Sequence, residues 1–301
     1  MTPRIHLVDA SPYIFRAFFS LPPSLKSAAG LPANATYGFA GFLLKLLADE
    51  GVSHLALAFD ESLTTSFRND FYPEYKAQRE LPDPDLERQL KGCVALAEAL
   101  GIATFASPRY EAEDLLATVG APLVEAGASA VIVSSDKDLM QLVTERVELF
   151  DFARGERYGP AEVVAKFGVR PGQIADYLGL AGDSVDNIPG VPGVGKKTAS
   201  ALLASFESLE DLYSRLDEVP SLPIRGAKSL ARKLAEHRGA AELSKRLATI
   251  VTDAETAEGV AKADLDQLEL RRPDPALLEP WLEEHGFGSL AERLRGWPEA
   301  G

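Results

Sequence analysis

The 301-residue chain predicts an α/β fold, a mainly parallel sheet with helices on both faces, followed by an all-helical part. Three observations carry that expectation. Short apolar runs alternate with helical periodicities through the first 150 residues. Several of those runs end on an aspartate. After about residue 165 the texture changes to short helices broken by Gly and Pro, most densely in Ile188-Pro-Gly-Val-Pro-Gly-Val-Gly195.

Residues 4–8 (Arg-Ile-His-Leu-Val) read as a buried strand ending at Asp9. Phe39, Phe42, Leu43, Leu46 and Leu47 recur at helical spacing and predict a helix over 36–50. His54 to Phe59 reads as a second strand, ending at Asp60. Residues 85–100 are helical, stopped by Gly101, with Leu86, Leu90, Val94 and Ala97 as core. A helix over 111–125 follows Ala103-Thr-Phe105. Ala130 to Val133 is a strand that ends near Asp136, and Val147 to Phe150 is another. Beyond a boundary near 165, helical periodicity returns at 197–205, 208–216, 227–236 and 239–248. Residues 256–301 form an acidic extension in which Trp281 and Trp297 are expected to anchor a terminal helix.

Hydrophobic residues at 46% and charged residues at 25% describe a globular protein rather than a disordered or membrane chain. No apolar run approaches the roughly 20 residues that span a bilayer. The N-terminus reaches Asp9 too early for a signal peptide. The single cysteine, Cys93, excludes an internal disulfide and fits a reducing compartment, so the expected location is cytoplasmic. His6, His54, His237 and His285 are scattered, which argues against a Cys/His zinc site.

The net charge of −14 argues at first against nucleic acid. Its distribution reverses that reading. Residues 251–301 hold 12 acids and 5 bases, and nine further acids form one candidate site; without both groups the remainder is slightly basic. Residues 221–250 alone carry seven Lys or Arg against two Glu.

Asp9, Asp60, Asp136 and Asp138 fall at strand carboxyl ends, where open parallel sheets bind ligands. Glu111, Glu113 and Asp114 open the helix after the third extended run, and Asp183 and Asp186 share a face if their turn is helical. Taken singly, each is an ordinary turn, cap or solvated helix start. Together they would repel strongly unless hard divalent cations, magnesium or manganese, sat among them. Two such ions are a recurring device for phosphodiester hydrolysis. In Gly193-Val194-Gly195 followed by Lys196-Lys197-Thr198, a tight turn opens a helix, and backbone N–H groups there can hold a phosphate. A P-loop is excluded by spacing. If 72–79 is helical, Tyr72, Tyr75, Lys76 and Arg79 share a side that could stack a base and grip a phosphate.

These residues resemble the bacterial 5′–3′ exonuclease family, the nuclease portion attached to DNA polymerase I and its free-standing relatives, within the flap endonuclease superfamily. The likeness covers about residues 4–255. It rests on Leu7-Val-Asp-Ala10 with Phe15-Arg16-Ala-Phe-Phe19, Tyr37-Gly-Phe39, Phe59-Asp60, Phe67-Arg68 and Tyr75-Lys76-Ala-Gln-Arg79. It continues through Tyr110 to Thr118, Ser135-Asp-Lys-Asp-Leu139 with Gln141-Leu-Val143, Gly179 to Gly190, and Leu222-Pro-Ile-Arg-Gly-Ala-Lys228.

The resemblance implies a PIN-like nuclease core over 1–165 with a helical arch at about 61–92, and a DNA-binding helical domain over 166–255. It implies that the nine acids bind metal and that Lys76, with Arg16 and Arg79, contacts the scissile phosphate or the threaded strand. It implies a helix-hairpin-helix at 188–199 (the helix-two-turn-helix type), with potassium held by the backbone carbonyls of Leu180, Ala181, Pro189, Val191 and Val194. Glu113 departs from the family's usual Asp by one methylene, about 1.5 Å, which bears on metal preference. The expected substrate is DNA with 5′ flaps, 5′ ends or nicks. The expected state is a monomer working beside a separate DNA polymerase, since no polymerase segment follows Gly301. Two rivals stay open: a branched-DNA-binding protein with weak or no hydrolysis, disfavoured by the complete acid set, and an RNA-directed PIN-type nuclease, disfavoured by the hairpin.

Overall fold

The computed structural model describes residues 3–61, 65–79, 83–257 and 259–297. Six strands form one sheet in the order β3-β2-β1-β4-β5-β6. β1 (Arg4–Asp9), β2 (His54–Asp60), β3 (Ala103–Ser107), β4 (Ser129–Val133) and β5 (Val147–Asp151) run parallel, and β6 (Glu156–Tyr158) is antiparallel to β5. The chain builds outward from β1 through β2 to β3, then crosses back to β4 on the other side. The switch point therefore opens between the ends of β1 and β4, where such sheets bind ligands.

Period-two alternation sorts the strand residues between two cores. Ile5, Leu7, Ala56 and Ala58 face α4 (Ala112–Glu125), while Val8, Leu55, Leu57 and Phe59 face α1 (Ser11–Ser20), α2 (Asn34–Glu50) and α3 (Pro84–Ala99). Gly120 lets α4 rest on the sheet, because a Cβ there would come within 2.5 Å of Leu7 Cδ1. α3 starts on an Asp83 cap with Pro84 behind it, both standard helix-opening chemistry.

The later helices are α5 (Pro160–Phe167), α6 (Ile174–Ala181), α7 (Lys196–Leu203), α8 (Leu209–Ser214), α9 (Ala227–Glu236) and α10 (Arg238–Ala248). Leu178, Leu202, Leu234 and Leu247 belong to the same apolar cluster as Leu115 and Leu139, so the core runs on across residue 165.

Two expectations change, and the anchoring expected of Trp281 and Trp297 holds. Residues 67–70 form a 3-10 turn and 71–79 run as turns, not as a helix; 84–92 is already α3; and 62–64 and 80–82 of the expected arch lie outside the described residues. Asp183 and Asp186 sit in a loop closed by an Asp183–Ile188 bridge, not on a helical face. The acidic extension holds β7 (Glu255–Thr256), β8 (Gly259–Val260) and three helices, α11 (Leu265–Leu268), α12 (Pro275–His285) and α13 (Ser289–Arg295). It folds back on α2 and α3. Trp281, Leu282, Leu294 and Trp297 join their core, and Trp281 Nε1 donates to Gly92 O at 2.9 Å.

Candidate active site and helical hairpin

The crevice beside β1 collects the acids. Asp9, at the end of β1, accepts from Ser134 Oγ at 2.8 Å, and Ser134 in turn accepts the backbone N–H of Asp136. Asp136 Oδ1 accepts the N–H of Asp138 at 2.9 Å, which closes a turn after β4. Asp60, at the end of β2, accepts the N–H of Ala112 at the start of α4. Glu111 is the N-cap of that helix and Glu113 lies in its first turn.

Mutual repulsion marks how close these groups lie. Burial, then Asp60 and Asp136, push the Asp9 carboxyl well above its usual range. Burial and Glu111 push Asp60 up. Burial leads again at Glu113, where the Arg68 charge opposes it and Glu111, Asp114 and Asp136 add to it. Asp136 is also raised, by burial and then by Asp186. Burial followed by Asp136 carries Asp138 to about 8, with Asp183 and Asp186 adding to the effect. Eight acids thus share one field: Asp9, Asp60, Glu111, Glu113, Asp136, Asp138, Asp183 and Asp186.

Asp9 Oδ1 is buried without a hydrogen-bond partner. An orphaned buried carboxylate oxygen among mutually repelling acids fits a hard divalent cation. As they stand, no three His, Cys, Asp or Glu side chains among the described residues converge tightly enough to hold an ion. Cationic side chains hold several of them instead.

Lys76 Nζ donates to Glu111 Oε2 at 2.7 Å and stands 3.7 Å from Asp186 Oδ2. Burial works against its charge, but Glu111, Tyr75 and Asp186 outweigh it and hold the ammonium well above the usual lysine range. Its backbone has φ 54°, a left-handed conformation that costs a non-glycine residue free energy. The Asp186 carbonyl fixes it by accepting the Lys76 N–H at 3.1 Å. Arg79 pairs with Asp186 at 2.8 Å, and Arg16 is exposed on α1. Tyr75 does not present a base-stacking face: it is buried, and its hydroxyl donates to Glu111.

Asp114 adds to that field at Glu113 but differs from the other eight acids in its partners. It is fully buried, and all its contacts are with donors: Arg68 NH1 at 2.7 Å, Arg68 NH2 at 3.0 Å, Glu111 N at 3.3 Å and Val251 N at 3.0 Å. Two residues carry weight that the sequence pattern does not announce. Arg68 is fully buried among aromatic neighbours; Phe67-Arg68 is one of the motifs of the resemblance, but no role for Arg68 is read from it. Lys137 pairs with Asp183 at 3.1 Å; its signal is its place between Asp136 and Asp138.

The hairpin lies beside the acids. A cleft of about 500 Å³ is lined by Lys137, Tyr177, Asp183, Asn187 and Lys196 and joins the acid loop to α7. Two backbone stretches cross there with no room for side chains. A Cβ on Gly182 would meet Ile188 O at 2.6 Å, and one on Gly190 would meet Gly182 N at 2.4 Å. Gly182 (φ 70°), Gly190 (φ 63°) and Gly193 (φ 79°) all have left-handed φ. This crossing brings Leu180, Ala181, Pro189, Val191 and Val194 into one loop cluster, stitched by Val191 N to Leu180 O and Val194 N to Val191 O. Gly195 differs from the expectation placed on it: its φ of −96° is ordinary and a Cβ would meet nothing within 4 Å. What its bareness leaves is open space at the start of α7. That helix has no side-chain cap, and Lys196 and Lys197 are exposed on it.

Comparison with known proteins gives the family and the fold. Residues 4–168 match the family described as 5′-3′ exonuclease, N-terminal resolvase-like domain, and 169–276 match 5′-3′ exonuclease, C-terminal SAM fold. DNA polymerase I of Bacillus subtilis (strain 168) is 39% identical over 295 residues, covering 97% of this chain and 32% of the relative. DNA polymerase I of Pseudomonas aeruginosa is 42% identical over 297 residues, covering 98% and 32%. The chain thus spans about a third of the length of these relatives. Among solved structures, T5 5′-exonuclease with bound zinc superposes with a TM-score of 0.67 at 22% identity, covering 93% of this chain and 99% of that one. The catalytic core of Rad2 with DNA substrate gives 0.55 at 17% identity, covering 99% and 88%. These two show the shared fold. On the two family matches and the polymerase I relatives, the chain belongs to the 5′-3′ exonuclease family.

Proposed function

We propose that this chain is a structure-specific 5′-3′ exonuclease and 5′-flap endonuclease that hydrolyses DNA phosphodiester bonds with two divalent cations, magnesium or manganese. The observation that carries the reading is the field of eight acids at the sheet switch point, with Lys76 held at its edge by Glu111. Divalent ions there would supply a Lewis acid and an activated water. Asp9, Asp60, Glu111, Glu113, Asp136, Asp138, Asp183 and Asp186 are the residues that would hold them. Lys76 is placed to donate to a phosphate oxygen and offset charge that develops on it. Arg79 and Arg16 flank the path of the strand.

The helical hairpin would grip the duplex backbone through the start of α7, with Lys196, Lys197 and Thr198 beside Gly193, Val194 and Gly195. Each of the carbonyls of Leu180 and Val191 accepts one amide and retains a second lone pair, which suits potassium. No helix among the described residues is long and apolar enough to cross a membrane. T5 flap endonuclease solved with DNA and metal ions is a fold relative consistent with this substrate class.

The test is one gel with a 5′-flap and a nicked duplex, run with chelator, magnesium or manganese. Release of the flap or short 5′ products with either metal alone is expected. Tight binding of the flap without cleavage in any arm would mark a branched-DNA-binding protein instead.

A further inference from the structure

We infer that Arg68 and Asp114 form a buried positioning pair that fixes the acid-bearing helix against the helical part of the chain, and that Asp114 is not a metal ligand. The inference rests on the nuclease reading above. An ionised carboxylate offers about four lone-pair sites. At Asp114 all four are taken by donors, two from Arg68 and one each from the N–H groups of Glu111 and Val251. Asp9 shows the contrast, with one oxygen bare.

The same guanidinium reaches further. Arg68 Nε donates to Leu247 O at 2.8 Å and NH2 to Thr249 O at 3.1 Å, at the end of α10, while NH2 also stands 3.4 Å from Glu113 Oε1. The segment after α10 is sewn down at three further points. Gln141 donates to Ala248 O and accepts the N–H of Ile250, both at 3.0 Å; Asp114 accepts from Val251; and Thr118 Oγ1 accepts from Ala254 at 3.0 Å. Gln141 follows the Asp136 and Asp138 turn, and Thr118 is one turn beyond Asp114 on α4. Residues 247–254 are therefore a strap stitched to both acid-bearing elements, with Arg68 at its centre. α10, which the strap continues, packs on α6, and α6 leads directly into Gly182 and the acid loop. A duplex gripped at the hairpin is thereby held in register with the acids.

The test uses manganese titration in the absence of DNA, read as free-ion electron paramagnetic resonance, alongside single-turnover cleavage of a flap. The neutral pair Arg68→Gln with Asp114→Asn should bind as many ions as wild type. Glu113→Gln should lose one ion or weaken binding by more than the roughly 10–100-fold typical of a residue one step removed from a metal. Arg68→Lys keeps the charge but not the fork. It should slow single-turnover cleavage about tenfold or more while ion count and duplex affinity stay near wild type. If the double variant melts below assay temperature, Arg68→Lys carries the test alone. The inference is overturned if the neutral pair loses an ion as Glu113→Gln does, or if Arg68→Lys cleaves at the wild-type rate. A wild type that binds manganese but cleaves nothing would instead overturn the nuclease reading.

Discussion

At the carboxyl ends of β1, β2 and β4 the working atoms belong to side chains, whereas where residues 180–182 cross 188–195 they belong to the backbone. The first region gathers like charges, and burial makes their repulsion costly: the carboxyls of Asp9, Asp60, Glu113 and Asp136 are all raised, and Asp138 to about 8. The second leaves no room for a side chain where its backbone crosses, because a Cβ on Gly182 or Gly190 would collide with main-chain atoms. One region holds potential to be released by cations; the other holds shape. A substitution should therefore fail by chemistry in the first and by folding or grip in the second.

The largest effect is expected at Asp136. Asp136→Asn should cut single-turnover cleavage by more than the 10–100-fold typical of residues one step removed from a metal. Duplex binding should hold or improve as a negative charge is lost. Cleavage equal to wild type at limiting enzyme would break the side-chain half of the comparison.

Lys76→Ala comes next, with a loss of about 100–1,000-fold in single-turnover rate, as for removal of one charge-stabilising donor. Duplex affinity should change far less. An equal loss in rate and affinity would make Lys76 an ordinary phosphate contact.

The backbone half predicts a contrast between two glycines. Gly190→Ala should lower stability by about 1–3 kcal/mol, the cost of strained backbone, and weaken duplex binding with it. Gly195→Ala should leave the melting temperature unchanged, since its φ is ordinary and the space is open. Matching melts for the two variants would refute the crowding.

The smallest effect concerns potassium. If the carbonyls of 180–194 hold a monovalent cation, potassium should tighten duplex binding relative to tetramethylammonium at matched ionic strength, with divalent metal chelated. The difference should be about threefold, under about 1 kcal/mol. General screening would make the two titrations superimpose.

The two regions also differ in how legible they are in the sequence. Strand-end acids are visible because apolar runs stop on them, so the amino-acid pattern alone places Asp9, Asp60 and Asp136. Turn geometry is not visible in that way. The helical face expected for Tyr72, Tyr75 and Lys76 is a run of turns, because Lys76 is drawn into a left-handed conformation by contact with Asp186, more than 100 positions away. The roles of Gly182 and Gly190 depend on which backbone crosses which, a fact of tertiary contact and not of local pattern. Gly195 looks necessary only because it sits in a glycine-rich run. Arg68 is hidden for the same reason as the glycine crossing: its partners come from α4 and from the end of α10. The acidic extension is partly legible: Trp281 and Trp297 stand out as packing anchors and do join the core, whereas its division into three short helices does not show in the pattern.

The central claim, that buried acids repel one another until divalent cations join them, is tested most directly by melting the protein with and without magnesium at about pH 5 and about pH 8. A carboxyl raised from 3.8 to about 8 keeps its proton in the folded state where the unfolded chain has lost it. Stability of the metal-free protein should therefore fall across that window as pH rises. Magnesium should restore more at the higher pH, and that excess should shrink in Asp136→Asn. A magnesium gain that is the same at both pH values, or undiminished in Asp136→Asn, would contradict the claim.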